Sequence, residues 1–347
     1  MNRRKASHPC SRREFLAVAT ATSLGLSLVP GSAPAAPDPA PKPGQERVFG
    51  LKFPPLDKVR LGFIGVGSRG TSLLGNLLEM EGAEIELLVL RMARQGVFGE
   101  LTHGEAGYLH ELRDYLLQDS IAANWRRRFV ATCNGNLYPT HGLGPVAQYL
   151  GIHAGDKFDY LVSMSSAEQA LSRRCAALPA GNPRRAERFA CGDLNTSLIK
   201  TALGRTIMVQ FSLVQSRPYS RINLLAGTTG TFCDYPPRLH LDGQPEGWIT
   251  DLQPYHQRYG HPLWKKLNAQ AQQSGGHGGM DYVMNWRLIE CLRQGLPLDL
   301  TVYDAAAWSS IVPLSIASVS KGSAPMAVPD FTRGAWEHQP ASALAAG

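Results

Sequence analysis

The sequence predicts an α/β protein in two parts. The first is a truncated domain of the doubly wound type, and the second is an α+β domain with a mostly antiparallel open sheet. The first part is indicated by an apolar strand that ends at Gly65, a helix over residues 71–81 and a second strand over residues 83–90. Between Gly65 and Arg91 there is room for only one strand–helix–strand unit, so the first domain is shorter than a complete one.

Three glycines follow the first strand in the pattern of a phosphate-binding turn. Gly65 permits the tight turn, Gly67 lets backbone N–H groups approach a pyrophosphate, and Gly70 lets the next helix pack closely. This pattern is typical of Rossmann-type dinucleotide sites. Their second strand ends in an acid that holds the adenosine ribose, whereas here Glu84 and Glu86 lie inside the predicted strand. The sequence therefore predicts a nucleotide site without its ribose carboxylate.

The second domain is predicted from short alternating segments separated by turns. Such an arrangement favours a mostly antiparallel sheet with helices on it. The predicted strands are residues 100–108, 206–214, 222–226 and 238–241, and the predicted helices are residues 143–150, 186–203 and 281–294.

The N-terminus has the features of a twin-arginine export signal. Arg12 and Arg13 precede a short apolar stretch at residues 17–29, and Ala33 to Ala35 form an A-x-A cleavage site. We therefore expect the protein to be exported in the folded state to the periplasm or the medium. We expect no apolar run after the signal to reach the length of a transmembrane helix. The predicted divisions are a signal at 1–35, a linker at 36–57, a truncated dinucleotide-binding domain at 58–90, a substrate domain at 91–335 and a tail at 336–347.

The net charge argues against nucleic-acid binding, and the cysteine content argues against a metal site and a disulfide framework. The formal net charge is +7, of which the signal contributes +4, so the rest of the chain carries only +3. This weak surplus argues against nucleic acid as a partner. Five cysteines remain after Cys10, with no paired spacing, so neither a metal site nor a disulfide framework is predicted.

Three loops carry candidate functional residues. The first holds Tyr138 and His141 among glycines and prolines, and its simpler interpretation is a helix start capped by Thr140. The second surrounds His277 with four glycines before Asp281, and a flexible connector with a helix cap explains it equally well. The third, at residues 215–221, presents Tyr219 between two arginines, an arrangement that a solvated strand exit also produces.

Taken together, these motifs resemble the glycoside hydrolase family 109 branch of the Gfo/Idh/MocA oxidoreductase-like proteins. They occur in family order across nearly the whole chain after the signal. The matching segments are Gly65-Val66-Gly67-Ser68-Arg69-Gly70, Gly104-Glu105-Ala106-Gly107-Tyr108, Asn136-Leu137-Tyr138-Pro139-Thr140-His141-Gly142, Arg217-Pro218-Tyr219-Ser220, His277-Gly278-Gly279-Met280-Asp281 and Val302-Tyr303-Asp304-Ala305.

The resemblance implies an NAD-dependent glycosidase that cleaves α-N-acetylgalactosaminides by transient oxidation, elimination, water addition and re-reduction. Most glycosidases instead cleave the glycosidic bond with a pair of carboxylic acid side chains. Tyr138 and His141 would be the catalytic acid/base groups. The implied cofactor contacts are Gly65, Gly67, Ser68, Arg69, Gly70 and Tyr138. The implied sugar contacts are Tyr108, Arg126, Tyr138, Pro139, Thr140, His141 and Tyr219, where Arg126 is preferred over Arg127 because it follows Trp125.

Compared with the family pattern, residues 83–86 run almost directly into residues 87–96, as if an internal deletion had removed the rest of the nucleotide domain. One alternative is therefore an inactive remnant of the family that binds an amino sugar or nothing. A second alternative is a sugar dehydrogenase of the wider superfamily. The expected partner is a small amino-sugar glycoside, without nucleic acid or stable membrane insertion, and the resemblance also implies a homodimer formed through the open sheet.

Overall fold

The computed structural model describes residues 52, 54–59, 84–244, 246–274 and 280–340. The predicted glycine turn at residues 65–70, the signal at 1–35 and His277 lie outside the described residues. The described elements, in chain order, are α1 (Glu84–Arg94), β1 (Leu101–Leu109), α2 (Arg113–Leu116), α3 (Ile121–Thr132), α4 (Thr140–Tyr149), β2 (Phe158–Ser165), α5 (Ala170–Ala176), β3 (Asn195–Thr201), β4 (Thr206–Ser212), β5 (Leu224–Gly227), β6 (Gly230–Cys233), β7 (Arg238–Leu241), α6 (Gln253–Tyr259), α7 (Pro262–Ser274), α8 (Met280–Gln294), α9 (Val302–Ser320) and β8 (Met326–Ala327).

The strands form one eight-stranded sheet in the order β7-β6-β5-β1-β4-β3-β2-β8. Every neighbouring pair is antiparallel except β1 and β4, which run parallel. The prediction of a mostly antiparallel open sheet is therefore confirmed. The main core lies between this sheet and the helices α1, α4 and α9, and residues such as Leu143, Ile207 and Ile311 are fully buried in it.

The predicted second strand at residues 83–90 is wrong, because this segment forms helix α1, which continues to Arg94. Leucine, methionine, glutamate and arginine are strong helix formers, and they make up most of the segment. The run of buried residues from Leu87 to Leu90 imitates a buried strand but belongs to a helix that packs against α4 and α6. Arg91 and Arg94 anchor it by donating to the carbonyls of Gly260 and Gln148. One continuous helix thus crosses the predicted domain boundary at residue 90.

A second prediction, a helix over residues 186–203, is also wrong. Residues 195–201 form strand β3, which pairs with β2 on one side and β4 on the other. Alternate residues from Asn195 to Thr201 are buried, which is the period of a strand rather than a helix. Pairing on both sides satisfies the backbone of this segment, so tertiary contacts decide its conformation.

The expectation that no run after the signal reaches transmembrane length is wrong for helix α9. Its 19 residues are long and apolar enough to cross a membrane by length and composition. In the fold it packs against β2 and β8, and Ala307 and Ile311 are buried there. A capping box fixes its start: the Thr301 hydroxyl accepts from the N–H of Asp304, and the Asp304 carboxylate accepts from the N–H of Thr301 at 2.8 Å.

Helix α4 lies unusually close to β1 because both elements carry glycine at the point of contact. A Cβ atom added at Gly142 would lie 2.4 Å from the backbone N and 2.5 Å from the backbone O of Gly107. A Cβ atom at Gly104 would lie 2.4 Å from a methyl group of Val146. No side chain fits between the two backbones at Gly142, so the sequence at these positions sets the distance between helix and sheet.

We expect Gly142→Ala to destabilise the fold by about 1–3 kcal/mol, because the new methyl group would push backbone against backbone. Gly144→Ala is a matched control in the same helix, with the same gain in helix propensity. Its Cβ would meet only the Trp308 ring at 3.2 Å, and a side chain can yield more easily than backbone. Denaturant unfolding of both variants tests this, and equal midpoints would contradict it.

Candidate active site

The candidate site lies at the carboxyl edge of β1 and β4, where the parallel pairing brings two chain segments together. After β4 the chain returns to the end of β1, and Leu109 and Ser220 exchange two backbone hydrogen bonds of 3.0 Å. His110 also donates its backbone N–H to the carbonyl of Ser212 at 2.9 Å. Tyr108 and Tyr219, which are 111 positions apart in the sequence, therefore lie side by side.

The loop before α4 is held in place by the buried side chain of Asn136. Its backbone N–H donates to the Ser315 hydroxyl of α9 at 2.8 Å, and its amide donates to the carbonyl of Val209 in β4 at 3.1 Å. These bonds fix the loop between helix and sheet, so Tyr138 leaves it in a defined direction. Thr140 is the first residue of α4 rather than its cap, and the preceding Pro139 offers no side-chain capping bond. The interpretation of Thr140 as a helix cap is therefore wrong.

Four of the predicted residues meet in a cluster of rings. The centroid of the Tyr138 ring lies 4.6 Å from that of Tyr108 and 4.8 Å from that of His141. Tyr108 also contacts His141 at 5.3 Å and Tyr219 at 5.8 Å. Such tilted and edge-on pairs are favourable aromatic geometries. The cluster places two phenols and an imidazole around Tyr108.

The guanidinium of Arg126 closes one side of the cluster. It lies 4.7 Å from the ring centroid of Trp125, 5.8 Å from that of Tyr115 and 5.9 Å from that of Tyr138. Arg127 instead faces away from the rings and donates to the Asn124 side chain and to backbone carbonyls. The structure therefore places Arg126 rather than Arg127 beside the ring cluster.

Two phenols of the cluster, those of Tyr108 and Tyr219, are held in their neutral form. Burial raises the pKa of Tyr108, although the nearby Arg126 opposes the shift. Burial likewise raises the pKa of Tyr219 to about 12, against the opposing charge of Arg221. A phenol with a raised pKa stays protonated near neutral pH, so both groups can donate hydrogen bonds to a hydroxyl or carbonyl oxygen.

A partly buried ion pair connects the site to helix α1. Arg221 lies 2.8 Å from the Glu86 carboxylate and donates to the Tyr235 hydroxyl at 2.7 Å. Burial lowers the pKa of Arg221, but Glu86 and Tyr235 raise it by more, so the net shift is upward. The Tyr235 ring in turn contacts the Tyr219 ring edge-on at 6.1 Å. Glu86 is therefore engaged by Arg221 and does not present a free carboxylate to a ribose.

Sequence reasoning missed several residues of this site. His110 lies 5.0 Å from Tyr219, ring to ring, and the two-residue period of a strand from Tyr108 is the signal that could have found it. Tyr115 and Tyr235 carry no such signal, because only the tertiary fold brings them close. Helix α8 begins at Met280, so the predicted cap Asp281 is in the first turn instead of before it.

Comparison with solved structures supports the fold assignment. A solved NAD-binding oxidoreductase from Klebsiella pneumoniae has a similar fold, with a TM-score of 0.51, 16% identity and coverage of 76% of this chain and 69% of that one. The described residues thus share an α/β architecture with this protein.

Residues 83–338 match the family description "Glycosyl hydrolase 109, C-terminal domain". A glycosyl hydrolase family 109 protein of Solibacter usitatus is 53% identical over 253 residues, which cover 73% of this chain and 58% of the relative. One from Shewanella amazonensis is 53% identical over 260 residues, which cover 73% and 57%. The chain belongs to glycosyl hydrolase family 109, and it spans somewhat more than half the length of these relatives.

We expect Arg221→Met to destabilise the protein by about 2–4 kcal/mol, because it leaves the mostly buried Glu86 carboxylate without its partner. The matched control is Arg174→Met, which breaks the exposed pair with Asp114 and should cost less than about 1 kcal/mol. Chemical unfolding measures both. An equal decrease in the free energy of unfolding in the two variants would show that the pair of Glu86 and Arg221 stabilises the fold no more than an exposed pair does.

We expect one tyrosine of the folded protein to ionise near pH 12, and this step to be absent from Tyr219→Phe. An unfolded tyrosine ionises near pH 10, so Tyr219 favours the folded state below that pH, and this contribution falls as the pH rises from about 10 to 12. Tyrosinate absorbance, recorded together with circular dichroism to verify folding, makes the measurement. If the tyrosinate absorbance of the two folded proteins already differed near pH 10, Tyr219 would not be the tyrosine with the raised pKa.

Proposed function

We propose that this chain is a glycosidase for α-N-acetylgalactosaminides that uses NAD. The observation that carries the proposal is the cluster in which Tyr138 and His141 lie 4.8 Å apart beside Tyr108, Tyr219 and Arg126. Phenols, an imidazole and a guanidinium are groups that bind and deprotonate a sugar. Membership in family 109 supports the substrate class.

The reaction requires a group that removes a proton from the sugar and one that protonates the leaving oxygen. Tyr138 and His141 are the proposed pair, since histidine transfers protons near neutral pH and a phenol can donate or accept. Tyr108 and Tyr219 remain neutral because of their raised pKa values, so they hold sugar oxygens as hydrogen-bond donors. Arg126 fixes the orientation of the ring beside Tyr138.

The described residues fit NAD at one end only. The half-buried Tyr138 at the edge of the cluster suits the nicotinamide, whereas Glu86, an acid of the predicted second strand, is paired with Arg221. The predicted pyrophosphate contacts at residues 65–70 lie outside the described part. The chemistry that NAD supplies when bound is reversible removal of hydride from C3, which makes the C2 proton acidic.

A second candidate function is sugar binding without turnover. It is favoured by helix α1, which occupies the segment predicted to be the second nucleotide-domain strand, and by the engagement of Glu86. In this case the assembled sugar side persists while the cofactor side is incomplete, as an internal deletion in the nucleotide domain would leave it. A sugar dehydrogenase remains the less favoured alternative, because the relatives are family 109 proteins.

Two further proposals concern location and assembly. We propose export by the twin-arginine route, on the basis of Arg12, Arg13 and the following apolar stretch. We also propose a homodimer through the open face of the sheet, where the side chains of Tyr160, Met164 and Leu198 are exposed on neighbouring strands. Exposed apolar patches of this kind mark association surfaces.

We expect the full chain to release nitrophenol from nitrophenyl α-N-acetylgalactosaminide without net NADH, and to release NAD when denatured. Tyr138→Phe and His141→Ala should each lower kcat by about 100-fold or more, with little change in stability. Binding of N-acetylgalactosamine without NAD or turnover would favour the second candidate. Accumulation of NADH with a free sugar would favour a dehydrogenase.

A further inference from the structure

Helix α3 presents an aromatic surface at the edge of the candidate site. The side chain of Trp125 is 46% exposed, although it lines the same small pocket as Tyr108, Arg126 and Tyr138. Isolated exposed apolar residues are common and need no explanation by themselves. An exposed indole that continues a polar and aromatic site is different, because it extends that site toward solvent.

One guanidinium contacts both Trp125 and a proposed catalytic residue. Arg126 is 4.7 Å from the Trp125 ring and 5.9 Å from the Tyr138 ring, so both rings lie within reach of a single charged group. The cation stacks on the indole and fixes its position. A ligand held by Tyr138 and Arg126 that extends outward along α3 therefore meets Trp125 next.

The apolar surface continues along the helix beyond Trp125. Ile121 is one helical turn earlier on the same face, and its side chain is 88% exposed. The face thus offers an indole and an aliphatic side chain beside Arg126. The C–H face of a pyranose ring is apolar while its rim carries hydroxyl groups, so an indole next to a guanidinium matches a sugar ring on both counts.

We propose that Trp125 is the platform of a second sugar subsite, which binds the residue attached to N-acetylgalactosamine through the glycosidic oxygen. The inference rests on the proposed function and extends it to the sugar on the leaving side of the glycosidic bond. Trp125 is in this respect a specificity-determining residue, and the chemical step is left to Tyr138 and His141.

The test compares N-acetylgalactosamine with a disaccharide in which it is α-linked to galactose, titrated calorimetrically into the full chain. We expect the disaccharide to bind about tenfold more tightly, and Trp125→Ala to abolish most of this ratio. Trp125→Phe, which keeps an aromatic face, should retain part of it. The matched control is Trp248→Ala, since Trp248 is 48% exposed and stacks with Arg238 at 5.0 Å but lies outside the cluster.

Three other outcomes would each contradict the second subsite, the role of Trp125 in it or the sugar site itself. Equal affinity of the unmodified protein for the two sugars removes the second subsite and leaves the proposed function intact. A loss of monosaccharide affinity in Trp125→Ala as large as the loss for the disaccharide would show that Trp125 acts only by holding Arg126. Failure of the unmodified protein to bind either sugar would overturn the sugar site as well as the subsite.

Discussion

The close approach of helix α4 to strand β1 is the constraint on which the candidate site depends. Gly142 and Gly107 leave no room for a side chain between the two backbones. Tyr108 is the next residue of the strand after Gly107, and His141 immediately precedes Gly142, so the packing that joins helix to sheet also joins these rings at 5.3 Å. The fold and the site are therefore stabilised by the same contact, and neither can shift without the other.

The parallel pair of β1 and β4, the only such pair among the described strands, supplies the second half of the site. Because β1 and β4 end at the same edge, the segment after β4 can return to β1 and place Tyr219 beside Tyr108. The Glu86–Arg221 pair then ties this segment to α1. An ion pair with limited access to water is costly to break, so it fixes the position of a segment that its exposed residues alone would leave poorly defined.

The sugar side and the cofactor side of the proposed site differ in what supports them. On the sugar side, five predicted residues lie around one cluster, and Asn136 holds the loop that carries Tyr138. On the cofactor side, the predicted second strand is helix α1, and its Glu86 serves the sugar side through Arg221. The sequence pattern lacks a ribose carboxylate, and Glu86 is used for structure, which is the physical basis for considering a protein that binds sugar alone.

The sequence by itself determined the mostly antiparallel sheet and the strands at β1, β4 and β7, and it singled out the residues whose rings meet in the cluster. These features have local signatures: alternation in the strands, and the motifs around Tyr138 and Tyr219. Only the tertiary structure decided that residues 84–94 are a helix and residues 195–201 a strand, because packing and pairing override local preference in short apolar segments. It alone also revealed His110 and Tyr235 beside the site and the pairing of Arg221 with Glu86, since these contacts join distant parts of the chain.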